Sequence, residues 1–292
     1  MYIHYANLRG AAPKAGNFGD ELNTWIWPSL LPGIFDGDKS VGFVGIGTVL
    51  NSKLEGRFSR TVVFGSGYGF FDPPKFDSSW KVYCLRGELT AQAVGLAPQF
   101  GIADPGILVN QLFKPSSLKL NKFGFMPHIF KLVDGGDKMF RDACNAQGMY
   151  FIDPRWEIQH VLEAIASCEV LITAAMHGAI AADALRVPWI PVVTNAGIPE
   201  FKWTDWCTSI GLEYNPHRIY RFSRLNKYSA KYRNVEAQIV AFRLGQLREK
   251  KTYLSTDEMM DRRTVQLLEK IDEFRTDVAI GAYSSAPIRT VI

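Results

Sequence analysis

The chain has 292 residues, 47% of them apolar and 21% charged, with 33 Lys or Arg against 29 Asp or Glu. This balance belongs to a globular protein of two domains or one large one, and it excludes a short disulfide-stapled scaffold and a disordered chain. A net charge of +4 is too small by itself to indicate nucleic acid.

Short apolar runs alternate with amphipathic segments along the chain. Residues 2–6 read as a first strand, followed by the turn Gly16-Asn17-Phe18-Gly19-Asp20 and a helix from Glu21. Residues 41–44, 61–64 and 80–85 are further short strands, and 88–94 is a short helix. Strands are predicted again at 122–126, 149–152, 170–173 and 189–193, separated by helices near 138–147, 158–167 and 179–185. Alternation of this kind implies βαβ units and mostly parallel sheets. The pattern occurs twice, and residues 113–121, with Lys114-Pro115-Ser116-Ser117, read as a linker. The expectation is two Rossmann-like domains, 1–115 and 120–292, facing a cleft. A final amphipathic helix spans about 256–278, with Met259, Val265, Leu268, Ile271 and Phe274 on or near one face.

Cys84, Cys144, Cys168 and Cys207 lie far apart, with neither a CxxC pair nor Cys/His metal spacing. They read as reduced thiols in a reducing compartment, and no metal site is expected. The start of the chain lacks the pattern of a signal peptide. The most apolar stretch, 170–193, carries His177, Asp183, Arg186, Pro188 and Pro191, a load foreign to a transmembrane helix. A cytoplasmic protein is the expectation.

The charge is segregated. From Arg218 to Lys251 there are ten Lys or Arg and two acids, a net +8, so the remainder carries −4. Tyr220, Phe222, Tyr228, Tyr232 and Phe242 are interleaved among them. This segment reads either as a solvated basic helix face or as a patch held against an anionic membrane surface.

Three glycine turns follow early strands: Gly16–Asp20, Gly45-Ile46-Gly47-Thr48 and Gly65-Ser66-Gly67-Tyr68-Gly69. Beyond the carboxyl ends of parallel strands, glycines let backbone approach a ligand closely. Together they suggest a cleft lining with Asn17, Gly19, Gly47, Ser66 and Gly67 as binding positions. Each turn alone is equally a tight βα connection. Asp20 suits a functional role or the cap of the helix that follows. Arg86, before Gly87, closes a strand and offers a planar fork for carboxylate or phosphate, or else a structural ion pair. Asp104-Pro105 ends the strand-like run 99–103 and reads first as a helix N-cap.

The sharpest segment is the buried run 170–174 leading into His177-Gly178 and an alanine-rich helix. A histidine at a helix N-terminus, beyond a buried strand, stands where free backbone N–H groups hold an anion. His128, in Met126-Pro127-His128, is a second cleft candidate. In the stretch from Glu200 to Trp206, Lys202 suits an anion, and Trp203 or Trp206 suits stacking on a sugar ring. The tryptophans suit a helix core face equally well. His4, His160 and His217 read as structural.

In order, Gly16-Asn17-Phe18-Gly19-Asp20-Glu21-Leu22, Gly45-Ile46-Gly47-Thr48, Gly65-Ser66-Gly67, Arg86-Gly87, Asp104-Pro105, Met126-Pro127-His128 and His177-Gly178 running into Val187-Pro188 resemble the polysaccharide pyruvyl transferase family, most of all the exopolysaccharide ketalases of the succinoglycan and xanthan type. The resemblance covers about residues 1–215. It implies a GT-B-like fold, phosphoenolpyruvate as donor and co-substrate without a further cofactor, and a sugar diol, lipid-linked or on an exopolysaccharide, as acceptor. Taken with their common placement at strand carboxyl ends, it makes His177, Arg86 and Asp20 the expected catalytic residues. Substrate contacts would come from Asn17, Gly19, Gly47, Ser66, Gly67, Asp104, His128, Gly178, Lys202 and Trp203. The N-terminal domain would lie on the acceptor side. One departure is Ala175, where many members carry an arginine; Lys202 or Arg86 would supply that cation. Two other classes fit the pattern: a GT-B glycosyltransferase using a nucleotide sugar, for which Glu200 would grip a ribose, and a non-catalytic glycan- or anion-binding protein.

Overall fold

The computed structural model describes residues 1–6, 16–69, 71–132, 136–194, 200–219 and 230–283, with the side chains of 230–234 outside that description. Four short apolar runs, β1 (Tyr2–His4), β2 (Val41–Val44), β3 (Arg60–Phe64) and β4 (Trp80–Cys84), form a parallel sheet in that order. Their side chains alternate between two covers, as the period of two demands. Phe43, Val62, Phe64 and Tyr83 face one cover, which includes α1 (Phe18–Leu30). Val44 and Val63 face the other, where the 3₁₀ turn Ser52–Leu54 and α2 (Glu88–Ala93) pack. The chain continues through the 3₁₀ turn Pro105–Leu108 and α3 (Val109–Leu112) into an irregular stretch, 113–120.

The second sheet comprises β5 (Asn121–Met126), β6 (Tyr150–Phe151), β7 (Cys168–Thr173), β8 (Trp189–Val193) and β9 (His217–Arg218). Its order is β6-β5-β7-β8-β9 and every pair is parallel. The short helix α4 (Ile129–Lys131) follows β5. One face is covered by α5 (Asp137–Ala146) and α9 (Ala230–Gln246). The other is covered by α6 (Ile158–Ala166), α7 (Met176–Ala184) and α8 (Glu200–Ser209). The architecture is the expected α/β, GT-B-like pair of parallel sheets. Strand order reverses between β5 and β7. Such a switch point opens a crevice between the loops after the two strands.

Three local expectations shift. Residues 18–20 are already helical, so Asn17 takes the N-cap position and Asp20 lies inside the first turn. The run 99–103 contributes a single bridge, Leu85 to Gly101, rather than a strand. The last helix, α10 (Asp257–Ala279), buries Met260, Thr264, Leu267, Ile271 and Phe274, leaving Val265 exposed. The phase is rotated from the one read in sequence because α10 does not stay with the second sheet. Phe274 packs on Phe43, Phe64 and Tyr83 of the first. The Tyr83 hydroxyl meets Asp277, and Lys81 lies 3.5 Å from both Glu273 and Asp277. Residues 120–292 therefore span both halves.

Asn23 fastens α1 to the first glycine turn after β2. It is fully buried, and its amide donates to the carbonyls of Asp20 and Ile46 while accepting from Ile46 N–H and Trp27 Nε1. Each buried group left unpaired by its loss costs roughly 1–3 kcal/mol. A Cβ at Gly45 would lie 2.3 Å from Trp27 Nε1, so only glycine lets the turn close on this helix. The effect is to fix Gly47 beside Asp20.

Candidate functional site

The carboxyl ends of both sheets meet at a cleft where two helix N-termini converge. Helix α7 starts after β7 with Ala175 as N-cap, leaving His177 in the first turn. No side chain caps it; the Ala175 N–H is taken by Thr173 Oγ1. Helix α1 comes from the first half, and its start is seated on the second: Phe18 N–H donates to Pro154 O at 2.8 Å. The two helices meet at Gly19. A Cβ there would stand 2.0 Å from His177 Nδ1, so the absence of a side chain is what admits the imidazole. Helix N-termini carry partial positive charge and open N–H groups, and two of them aimed at one point form a strong anion environment.

Around this point stand groups that sense one another electrostatically. Asp20 accepts from Asn17 Nδ2 at 2.5 Å. Burial pushes its carboxyl above the ordinary range, against the pull of His177, the Asn17 hydrogen bond and Lys202. Lys202, in the first turn of α8, has no hydrogen-bond or ion-pair partner among the described residues. Burial first, and then the Arg86 charge, hold its ammonium down at about 8, with Asp20 opposing. His128, the N-cap of α4, accepts from Phe130 N–H at 3.4 Å. Burial, then Lys202, Lys131 and His177, push it down to about 3, so its imidazole is neutral at physiological pH. Asp20, His128, His177 and Lys202, four candidates from distant stretches of sequence, are brought together.

Asp104 arrives from the first half. Its side chain accepts from Gly106 N–H at 2.9 Å, in the capping role expected of it. Its other oxygen, Oδ2, is buried without a partner and lies 3.7 Å from His177 Nε2, which is also buried and unpartnered. Gly47, at φ +128°, lies against Asp20 Oδ1. Ser66 is fully buried and spends its hydroxyl on Gly47 O. Gly178 lies against β5 and β7: a Cβ would meet Met126 Sδ at 2.6 Å and Thr173 Oγ1 at 2.8 Å.

Two expectations are corrected. Arg86 does not present its guanidinium to the cleft; it is fully buried. Its Nε donates to Asp205 Oδ2 at 2.9 Å, Nη1 to Thr48 Oγ1 and Nη2 to Tyr68 O. Gly67 is the space behind it, since a Cβ there would lie 2.0 Å from Arg86 Cζ. The ion pair weighed as the alternative is what the fold uses, with Asp205 as the acid. Trp203 is also buried, packed with Trp189, Trp206 and Tyr214, so the core claims the ring expected to stack on sugar. The sequence reading passed over Asp205. Its signal was an acid one helical turn after Lys202, on a helix whose tryptophans mark a buried face.

The polysaccharide pyruvyl transferase family profile matches residues 17–195, from the cap of α1 to just past β8. The succinoglycan biosynthesis protein ExoV of Rhizobium meliloti (strain 1021) is 41% identical over 207 residues, which are 70% of this chain and 65% of that protein. The matched region thus spans about two thirds of that relative's length. The chain belongs to the polysaccharide pyruvyl transferase family. Helix α8, which supplies Lys202 and Asp205, lies outside the matched profile.

The Arg86–Asp205 pair joins the two halves, and both partners are fully buried. Removing one leaves an uncompensated interior charge, at about 3–5 kcal/mol. The expected outcome for Arg86→Met is a fall of that size in urea-melt stability, with much of it recovered in Arg86→Met/Asp205→Leu. Equal stability of Arg86→Met and wild type would mean the pair does not hold the halves together.

Proposed function

We propose that the chain transfers pyruvate from phosphoenolpyruvate to two hydroxyls of a saccharide in exopolysaccharide biosynthesis, forming a ketal and releasing phosphate. The observation that carries this reading is the convergence of the α1 and α7 N-termini on His177, with Lys202 beside them lacking a protein partner. Phosphoenolpyruvate is a small, highly charged anion, and this environment suits it without a resident metal or cofactor. The open N–H groups and Lys202 would hold its phosphate and carboxylate. Arg86 contributes charge from behind Gly67 rather than a direct contact. His128, neutral, would donate from the free nitrogen of its ring.

The chemistry needs a proton delivered to the methylene carbon and two hydroxyl protons removed. Asp20, whose carboxyl is raised by burial, suits the first donor. The first sugar hydroxyl then attacks the oxocarbenium-like carbon and gives its proton to His177. His177 returns that proton to the departing phosphate, and the C–O bond to phosphate breaks. The second hydroxyl closes the ring and its proton restores Asp20. Positive charge at the helix termini stabilises the leaving phosphate where its negative charge builds up.

The acceptor is proposed to be lipid-linked and met at the cytoplasmic face of a membrane. Among the described residues no helix is long and apolar enough to cross a bilayer. Peripheral contact has a candidate face on α9. Val235, Ile239 and Phe242 stand exposed at helical spacing i, i+4, i+7, opposite the buried Val240, Ala241 and Leu244. Arg218, Arg243, Lys250 and Lys251 are exposed nearby in sequence. Within the basic segment, residues 220–229, and with them Tyr220, Phe222 and Tyr228, lie outside the described residues, as does the Tyr232 side chain. Apolar residues flanked by cations suit an anionic interface.

Four measurements test these readings. Phosphate release from phosphoenolpyruvate, assayed across lipid-linked and free oligosaccharides, should appear with a suitable acceptor and fall at least 100-fold in His177→Ala. Protection by a nucleoside diphosphate and none by phosphoenolpyruvate would point instead to a nucleotide-sugar transferase. The kcat/KM for phosphoenolpyruvate should fall above pH 8, by up to about tenfold per pH unit, as Lys202 loses its proton in the field of Arg86 and Asp20, with His128 already neutral. Lys202→Arg should flatten that limb, and a limb unchanged by the substitution removes Lys202 from the anion site. Flotation with anionic vesicles should weaken with salt and in Ile239→Ser/Phe242→Ser; binding indifferent to both would refute the membrane face.

A further inference from the structure

We propose that Asp104 is the positioning residue for His177, setting across the boundary between the two halves which ring nitrogen carries the proton of the neutral imidazole. The inference rests on the reading above only for its consequence in turnover; its geometry is independent of the substrate.

Asp104 Oδ2 and His177 Nε2 are each buried, each without a hydrogen bond, and 3.7 Å apart. The large majority of buried side-chain polar atoms in folded proteins are paired, and an exception asks for an explanation. A water fits poorly between these two, because two hydrogen bonds of about 2.8 Å each would have to close to an angle well below tetrahedral to span 3.7 Å. The remaining way to satisfy both atoms is a direct Nε2–H to Oδ2 bond, reached by an approach of less than about 1 Å. Neither partner has another choice. The Asp104 Oδ1 atom is held by Gly106 N–H, which fixes the carboxylate plane. No Lys or Arg lies within ion-pair reach of Asp104 among the described residues. The ring of His177 is walled on two sides. Gly19 abuts Nδ1 and Cγ, and a Cβ at Gly106 would lie 3.7 Å from Cδ2. In this setting it is Nε2, not Nδ1, that faces Asp104.

Two consequences follow. With its proton held on Nε2, the neutral ring offers the Nδ1 lone pair to the convergence of α1 and α7. When Nδ1 takes a hydroxyl proton, the Nε2 proton stays in place and the Asp104 carboxylate balances the imidazolium charge. The proton on Nδ1 then leaves with phosphate, and the starting tautomer is restored. Asp104 belongs to the first half and His177 to the second, so the proton acceptor is correctly set only when the halves are together.

Asp104→Asn tests this sharply. Gly106 N–H will keep the carboxamide oxygen where Oδ1 was, which turns the amide NH₂ toward Nε2. A donor facing Nε2 drives the ring proton to Nδ1 and blocks its function as acceptor. The experiment is long-range ¹H–¹⁵N correlation on the full chain with ¹⁵N-labelled histidine, with His177→Gln to assign the signal. The expected result is an Nε2–H tautomer in the wild type and an Nδ1–H tautomer in Asp104→Asn. In turnover, kcat should drop about 100-fold or more, with the KM for phosphoenolpyruvate changed less than about threefold. The same tautomer in both proteins overturns the proposal, whether or not the chain turns over phosphoenolpyruvate. If the tautomer switches and no pyruvyl transfer is found in the wild type, the positioning role stands and the proposed reaction falls. If Asp104→Asn does not fold, Asp104→Ala, which removes the acceptor without presenting an amide, should leave mixed tautomers; a pure Nε2–H signal there also overturns it.

Discussion

The cleft depends on one buried ion pair. Arg86, at the end of the first sheet's last strand, reaches Asp205 on a helix of the second half, and neither has any exposure. A buried charge pair is not cheap to form. Its Coulomb attraction must offset the desolvation of both groups, and the offset is complete only when the remaining hydrogen-bonding capacity is used. Here it is used closely. Asp205 also accepts from Thr90 N–H and Thr90 Oγ1, so it caps α2 from the other half of the molecule. Arg86 spends two further N–H groups on Thr48 and Tyr68. Two glycines exist for the sake of this pair. A Cβ at Gly67 would overlap the guanidinium, and one at Gly87 would lie 2.3 Å from Asp205 Oδ1.

The pair sets the position of what surrounds it. Lys202 stands one turn before Asp205 on α8, so seating Asp205 delivers Lys202 to the cleft. The turn at Gly47 is tied to the turn at Gly67 by Gly67 N–H to Gly47 O. Gly47 in turn lies against Asp20. A hydrophobic contact would bring the halves together but leave their rotation loosely specified. Three directional hydrogen bonds onto the Asp205 carboxylate, one of them the ion pair, specify it more tightly, and the site needs that, since Asp20 and Asp104 come from one half and His128, His177 and Lys202 from the other.

How much of this was legible depended on the range of each interaction. Eight of the nine described strands were legible because each is a short apolar run, a signal contained in a few residues; the two-residue β9 (His217–Arg218) was missed because it carries no such run. The candidates at strand ends were legible for the same reason: parallel sheets direct loops at their carboxyl ends to one side. Partners distant in sequence were not. Nothing near Arg86 announces Asp205, 119 residues on. The return of α10 to the first sheet was hidden as well, because an amphipathic helix declares that it has an apolar face without declaring against what. Trp203 failed differently. A tryptophan beside a lysine reads as a sugar platform, but its helix must bury one face, and the larger ring surface won that competition. At Asp20, side-chain capping by Asn17 was not needed to begin the helix, since Pro154 O takes the first N–H from across the boundary.

The position held by Ala175 shows how charge is redistributed when a direct cation is absent. Ala175 is the N-cap of α7, next to the open N–H groups of its first turn. A long cation there would have reached the anion from the helix that carries His177. With alanine in its place, the described cations that act on the cleft groups are Lys202, without a partner among the described residues, Lys131, which bears on His128, and the buried Arg86, which bears on Lys202. This arrangement has a physical cost and a physical gain. The cost is that Lys202, buried and in the field of Arg86, holds its proton less firmly than an arginine would. The gain, for an anion of the kind proposed, would be a charge with no partner among the described residues to give up. The net attraction would then fall on the proposed ligand, which would in turn relieve the repulsion between Lys202 and Arg86.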